Sequence, residues 1–310
     1  MTTIEQSIQD YLALRRSLGF KLRDAGLCLA KFAAFLEARG ALHITTVLAM
    51  EWAQQSPSAQ PATCAQRLGY VRDFARYHVA SDPQTEIPAP GLLPFHAHRA
   101  RPYLYSDEDI ARLLQCALEL PPGDGLRPWT YHSLFGLLSV TGLRIGEAIR
   151  LKAEDVDLQA GVLTIRGTKF GKSRLVPIHP STGVVLEQYR ARREHFLAGH
   201  AVPTFFITRR GNPLDIGDIH RTFYQLSRRI GLRGATASHG PRLHDFRHRF
   251  AVQTLLYWYR SGEDVERRMP VLSTYLGHVH VADTYWYLSA CPELMGLAVA
   301  RLEQRWGDLP

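Results

Sequence analysis

The chain has 310 residues, which is enough for two domains of ordinary size. Hydrophobic residues make up 45% of it and charged residues 21%, a composition that excludes an intrinsically disordered chain. The sequence shows no signal-peptide pattern and no apolar run of the roughly 18 residues that a membrane helix needs, so we expect a cytoplasmic protein.

The charge balance favours a polyanionic partner. Lys and Arg number 37 against 29 Asp and Glu, a formal net charge of +8. Phosphate neutralisation dominates nucleic-acid affinity, so this excess is compatible with DNA binding, although many basic proteins bind none. The four cysteines are scattered without a CxxC pair and predict neither a disulfide framework nor a metal site.

The first eighty residues predict helices only. Apolar residues recur at helical spacing in the first forty residues, and Gly19 and Gly40 stand where two helices should end. A third helix fits residues 46–55, and Pro61 opens a fourth that runs to about Val79. Residues 1–82 are therefore predicted to form a compact four-helix domain.

Residues 83–103 predict a linker between two domains. This stretch is too rich in proline for a helix interior, with Pro83, Pro88, Pro90, Pro94 and Pro102.

Residues 104–310 predict a second domain that is mostly helical with a small antiparallel β-sheet. Helices fit the stretches that begin near Ser106, Trp129, Gly183, Ile216 and Leu243. Two β-rich runs, 162–166 and 174–178, flank a Gly-containing turn and predict a hairpin. The predicted fold class is therefore mainly α.

The stretch Thr141–Glu147 suits a phosphate oxygen. Gly142 can end the preceding helix, which places Arg144 at the start of a short new helix with Glu147 one turn along to steer it. A guanidinium fork at a helix start fits a phosphate, but a surface arginine after a helix cap has the same pattern.

The hairpin turn carries Lys169 and Lys172, two of only five lysines in the chain. Gly167-xxx-Gly171-Lys172-Ser173 resembles a nucleotide-binding P-loop, but it has three residues between the glycines instead of four and joins two strands. We therefore reject nucleotide binding. A basic hairpin tip that reaches a DNA groove fits better, and a solvated turn remains the alternative.

A third motif, His244-Asp245-Phe246-Arg247-His248, lies on a predicted helix. His244, Arg247 and His248 share one face, opposite an apolar stripe that includes Phe246. An arginine in the centre repels a cation, so an oxyanion is a better ligand there than a metal.

The fourth motif is Tyr275-Leu276-Gly277-His278, followed by a helix that carries Tyr285 and Tyr287. An aromatic run such as Tyr-Trp-Tyr is more often core packing than a catalytic group.

Together these motifs resemble one family. TGLRIGEAIRL, the Lys169 hairpin followed by RLVPI, HDFRH, and LGH with a tyrosine nine residues after the histidine are similar to the tyrosine recombinases, which include phage integrases and Xer-type resolvases. The order of the motifs along the chain is also that of the family. The first domain matches only in being small and helical.

The resemblance implies a role for each motif residue. Arg144 and Arg247 would bind the scissile phosphate, and His244 and His278 would hydrogen-bond it or move protons around it. Lys169 would be the general acid toward the leaving 5′-oxygen. The remaining role, attack on phosphorus, falls to Tyr287 rather than Tyr285 because of the spacing from His278.

The resemblance therefore implies a site-specific DNA recombinase or integrase that works through a covalent 3′-phosphotyrosine, without metal, ATP or another cofactor. Its implied partner is double-stranded DNA, bound by a homo- or hetero-tetramer at the nucleoid. The tail from Ser289 onward is open to packing on its own chain or on a neighbouring subunit.

Three other functions fit parts of the pattern. They are a DNA-binding relative that has lost catalysis, a type IB topoisomerase, and a helical metal-binding protein. The complete set of candidate catalytic residues disfavours the first, the spacing from His278 to Tyr287 disfavours the second, and the missing ligand cluster disfavours the third.

Overall fold

The structure is a computed structural model that describes residues 3–93, 101–123, 125–167, 173–237, 239–289 and 291–307. The chain divides into two compact units, residues 1–100 and 101–310. In the described ranges, no helix is long and apolar enough to cross a membrane.

The first unit is built from four helices around an aromatic core. Thr3 and Thr45 cap two of them by accepting backbone N–H bonds, and Pro61 opens the last. The core includes Phe32 and Phe74. The helices are α1 (Ile4–Ser17), α2 (Arg23–Ala38), α3 (Thr46–Gln54) and α4 (Pro61–His78).

The proline-containing segment after α4 is bound to this unit as far as Ala89. The backbone N–H of Glu86 donates to the Ile44 carbonyl at 2.8 Å. Arg72 donates to the carbonyls of Pro88 and Ala89 at 2.7 and 3.0 Å. The first part of the segment expected to act as a linker therefore packs on the helices that precede it.

The second unit is helical around one three-stranded antiparallel sheet, which confirms the predicted fold class. Its helices are α5 (Asp107–Leu118), α6 (Leu126–Thr141), α7 (Ile145–Ala148), α8 (Pro180–Leu197), α9 (Ile216–Arg229), α10 (His244–Arg260), α11 (Val265–Leu276), α12 (Ala282–Tyr285) and α13 (Pro292–Gly307), with a 3₁₀ turn at Trp286–Ser289 between the last two.

The sheet has the order β1-β2-β3, with β1 at Val156–Asp157, β2 at Val162–Ile165 and β3 at Arg174–Pro177. The predicted hairpin is thus present as β2 and β3. The two-residue strand β1 is an addition that is too short to show a period in the sequence. Ile165 pairs with Arg174 at the root of the hairpin turn.

Two apolar clusters fix the elements of this unit. The larger one surrounds α6 and includes Phe135, Phe223 and Phe246. The smaller one joins α10 and α11 to the end of the chain and contains Tyr287 and Leu294. Since Leu294 is fully buried there, α13 packs on its own chain.

Candidate active site

The loop between α6 and α7 presents Arg144 beside a buried carboxylate. Gly142 ends α6 with φ +61°, a left-handed conformation that glycine adopts without strain. Arg144 then takes the N-cap position of α7. Its backbone N–H and its Nη1 each donate to one oxygen of Glu147, at 3.1 and 3.0 Å. Glu147 therefore fixes both ends of the Arg144 residue, as the sequence spacing predicted.

Helix α10 carries Arg247 into the interior. Only 1% of this residue is exposed. Its Nη1 donates to the Gly142 carbonyl at 2.9 Å and its Nη2 to the Leu276 carbonyl at 2.7 Å. Burial, followed by the nearby charge of Arg144 against the opposing effect of Tyr287, lowers the pKa of Arg247 to about 10.

The two arginines meet at the C-terminal end of α11. Gly277 closes this helix with φ +70°, and its carbonyl accepts from Arg144 Nη1 and Nη2 at 3.3 and 3.4 Å. Because Arg247 binds the carbonyl of Leu276, the guanidinium groups contact consecutive carbonyls. The structure thus brings together two motifs that are separated by more than a hundred residues in sequence.

Tyr287 lies at this meeting point. The residue is 3% exposed, and it lies close enough to the Arg247 guanidinium to raise the pKa of that group against the effect of burial. Its ring stacks on His278 with centroids 6.0 Å apart and contacts His248 at 5.5 Å. Tyr285, the alternative tyrosine, is exposed on the surface.

His278 is held by the helix that follows it. Its Nδ1 lies 2.7 Å from Oγ1 of Thr284, a fully buried side chain on α12. Burial, together with the charges of Arg247 and Arg144, lowers the pKa of His278 to about 4. The imidazole is therefore neutral near pH 7, able both to donate and to accept a hydrogen bond.

His244 and His248 form an edge-to-face pair on α10, with ring centroids 4.8 Å apart. His244 is open to solvent and His248 is buried. Desolvation lowers the pKa of each to about 4; the next contribution is the charge of Arg247 for His244, and that of His244 for His248. The predicted shared face is therefore present, but Arg247 and His248 are buried in the unit rather than displayed on its surface.

Lys169 and Lys172 lie outside the described residues. The strand that follows their turn begins with Arg174, a residue that the sequence motifs did not single out. Its guanidinium binds both oxygens of Glu147, at 3.1 and 2.8 Å. The only sequence signal for it was its place directly after the hairpin turn.

The site is suited to an oxyanion rather than a metal. In the described ranges no group of three or more His, Cys, Asp or Glu side chains is placed to hold a metal ion. Two guanidinium groups instead meet at one helix end, beside a tyrosine whose ring contacts two neutral imidazoles. Guanidinium groups bind phosphate oxygens well. The arrangement has the chemistry to bind an oxyanion next to a tyrosine.

Comparison with known proteins identifies the family. Residues 105–293 match the phage integrase family. At 63% identity over 312 residues, which covers 99% of each chain, the sequence is similar to a Sinorhizobium fredii protein named integrase/recombinase y4rB. The tyrosine recombinase XerD of Mycobacterium tuberculosis is 30% identical over 227 residues, 73% of this chain and 68% of the relative.

Solved structures share the fold. The Tn1549 transposon integrase in complex with transposon right end DNA superposes with a TM-score of 0.69 at 15% identity, over 98% of this chain and 99% of that one. XerH recombinase bound to a difH substrate gives a TM-score of 0.65 at 18% identity, over 90% and 79% of the chains. The chain belongs to the phage integrase family of tyrosine-type DNA recombinases.

Proposed function

We propose that the chain is a site-specific recombinase in which Tyr287 attacks a DNA phosphodiester. The phenolic oxygen would form a bond to phosphorus, the bond to the 5′-oxygen would break, and a 3′-phosphotyrosine and a 5′-hydroxyl would result. The observation that carries this proposal is that Arg247 and Arg144 bind consecutive carbonyls at one helix end, with Tyr287 beside Arg247.

Arg144 and Arg247 would bind the non-bridging oxygens of the scissile phosphate. A tyrosine has a pKa of about 10 in solution, so only about a thousandth of it is ionised at neutral pH. Nearby cations favour the phenolate and stabilise the charge that builds up on the phosphorane. Because Arg247 is almost fully buried, its charge acts with little screening by water.

His244 and His278 would hydrogen-bond the phosphate or relay protons around it, as neutral groups that gain a proton more readily once an anion is bound. Lys169 would protonate the leaving 5′-oxygen, a role that rests on the family resemblance alone. The cations of the site would take the place that metal ions have in other phosphoryl-transfer enzymes, so no metal is required. The phosphotyrosine retains the energy of the phosphodiester, so no ATP is required either.

The partner would be a double-stranded DNA site bound by a tetramer in the cytoplasm, at the nucleoid. Residues 1–82 would form a DNA-clamping domain, joined through residues 83–103 to a catalytic domain at 104–310. Apolar side chains exposed along α13 are available to an assembly of subunits: Met295, Val299, Leu302 and Trp306. XerH and the Tn1549 integrase, which share the fold, are both named in complexes with DNA.

Covalent trapping tests this proposal. Nicked duplexes that cover the DNA around the coding sequence are incubated with the protein, so that loss of a short 5′-hydroxyl fragment prevents religation. We expect a protein–DNA adduct that survives denaturation, disappears in Tyr287→Phe and persists in Tyr285→Phe. An adduct that persists in Tyr287→Phe would refute the assignment of the nucleophile.

A further inference from the structure

The end of α11 is held by three arginines from three different elements. A helix leaves its last carbonyl groups without partners inside the helix. Here the Tyr275 carbonyl accepts from Arg174 Nε at 2.7 Å, the next carbonyl accepts from Arg247, and the Gly277 carbonyl accepts from Arg144. The donors come from β3, from α10 and from the start of α7.

Of the three, Arg247 is the one with a described interaction with Tyr287, whereas Arg174 is bound by Glu147 and Tyr275. Its side chain is 9% exposed and the Glu147 side chain 3%, so the ion pair between them is shielded from water. All three of its nitrogens are engaged, two by Glu147 and one by Tyr275. Such a side chain has a fixed position and few donors left for a ligand.

Glu147 transmits this fixed position to Arg144. Oε1 accepts from both Arg144 Nη1 and Arg174 Nη1, and Oε2 accepts from Arg174 Nη2 and the Arg144 backbone. Burial alone would raise the pKa of Glu147, but the hydrogen bonds and charge of Arg174, followed by those of Arg144, hold this pKa below its usual value. The carboxylate is therefore ionised and connects the two guanidinium groups.

The lack of a side chain at Gly277 is a second observation that supports a fixed position for Arg174. A Cβ added at this glycine would lie 2.7 Å from Arg174 Nη1 and 2.9 Å from Cζ. Such distances do not occur between real side chains, so any other residue would displace the guanidinium. The helix end is shaped to receive it.

We propose that Arg174 is a positioning residue of the recombinase. By binding Glu147 and the last turn of α11 at once, it sets the place of Arg144 relative to Arg247 and Tyr287. This inference rests on the proposed function, because positioning is measured through DNA cleavage.

The test compares Arg174→Met and Arg174→Lys in single-turnover cleavage of the nicked duplex at saturating protein. Lysine keeps the charge but donates from one nitrogen, which does not span both carboxylate oxygens and the Tyr275 carbonyl. We expect both variants to cleave about 10²-fold more slowly, the loss typical of a catalytic group displaced by about 1 Å. Full activity of Arg174→Lys would overturn the proposal, since charge alone would then suffice.

A second substrate separates positioning from general damage. A methylphosphonate at the scissile position lacks the negative charge that Arg144 would stabilise, so a variant with a misplaced Arg144 should lose less rate on it. We expect a much smaller defect on this linkage. Equal defects on both linkages would contradict the proposal. A 5′-phosphorothiolate has a leaving group that needs no proton, so it reports on protonation of the leaving group. Recovery of the variant's rate on that substrate would also contradict the proposal.

Arg166→Met is the matched control. Arg166 stands at the other strand of the same hairpin and also pairs with a buried carboxylate, Asp155, at 2.5 Å. Its ratio of phosphate to methylphosphonate rates should equal that of the wild type. If Arg174→Met does not fold, Arg174→Lys alone carries the comparison. Failure of the proposed function would look different, because the wild type itself would form no adduct.

Discussion

At the scale of single residues, the histidines around Arg247 show how burial sets the chemistry. His248 has few polar contacts and touches the rings of Trp286 and Tyr287. Protonating it would place a charge where water cannot solvate it, and then next to His244 and near the buried Arg247. The fold therefore keeps this imidazole neutral and lowers its pKa to about 4.

This shift predicts acid sensitivity. The unfolded chain binds a proton at His248 near pH 6.5, whereas the folded chain binds it only near pH 4. Unfolding therefore takes up protons in this window, and the free energy of unfolding should fall as the pH drops from about 6.5 to 4. Each such group changes the free energy of unfolding by at most about 1.4 kcal/mol per pH unit.

Urea unfolding at several pH values checks this. His248→Gln should flatten the dependence between pH 6.5 and 4, whereas His280→Gln, which changes an exposed side chain, should not. Identical slopes for His248→Gln and the wild type would show that the buried imidazole is not the source.

At the scale of elements, α6 illustrates how much a helix end contributes to the site. Gly142 provides the left-handed residue that ends the helix, and its carbonyl binds Arg247. A Cβ there would lie 2.9 Å from the Phe250 ring. The chain therefore needs glycine at this position for conformation and for space.

Two substitutions in the same helix should have opposite effects. Gly142→Ala forces alanine into the left-handed region, which costs about 1–2 kcal/mol, and the contact with Phe250 adds to this loss of stability. Gly136→Ala, in the helix interior with its nearest atoms 3.9 Å away, should raise the free energy of unfolding by about 0.5–1 kcal/mol. Chemical denaturation of both variants measures the difference; a stable Gly142→Ala protein would contradict this account of the turn.

The same elements show what the sequence could predict. Helical periodicity and the glycines at helix ends are local signals, so α1 to α4, the hairpin and the helix start at Arg144 were all predicted. The pair of Arg174 and Glu147 was not, because 27 residues separate its members and no local pattern links strand β3 to the short helix α7. Burial of Arg247 also escaped prediction, since this residue lies on the helical face opposite the apolar stripe that includes Phe246.

At the scale of the whole molecule, the exposed positive charges govern attraction to DNA, whereas the buried charges govern the arrangement of the site. Exposed arginines and lysines attract the DNA backbone and release counterions from it. Buried cations such as Arg174 are neutralised by their own carboxylates and take no part in this attraction. The salt dependence of DNA affinity should therefore respond to substitution of a phosphate-binding cation such as Arg144, and not to substitution of Arg174.

Salt titrations of duplex binding test this separation. The logarithm of the DNA-binding constant should fall linearly with the logarithm of the salt concentration, with a slope of about −0.9 per phosphate contact. Arg144→Gln, which removes one proposed contact, should make the slope shallower by about 1, and Arg174→Met should leave it unchanged. A shallower slope in Arg174→Met would show that this side chain reaches the DNA.

The arginine-capped end of α11 has a consequence for the enzyme before it meets its target. Three like charges brought together would repel one another, but the negative ends of the carbonyl dipoles and the Glu147 carboxylate offset this repulsion and hold the guanidinium groups in place. A stray inorganic phosphate must compete with the chain's own backbone for these groups. A DNA phosphate that binds Arg144 and Arg247 as proposed would likewise have to replace these carbonyl groups.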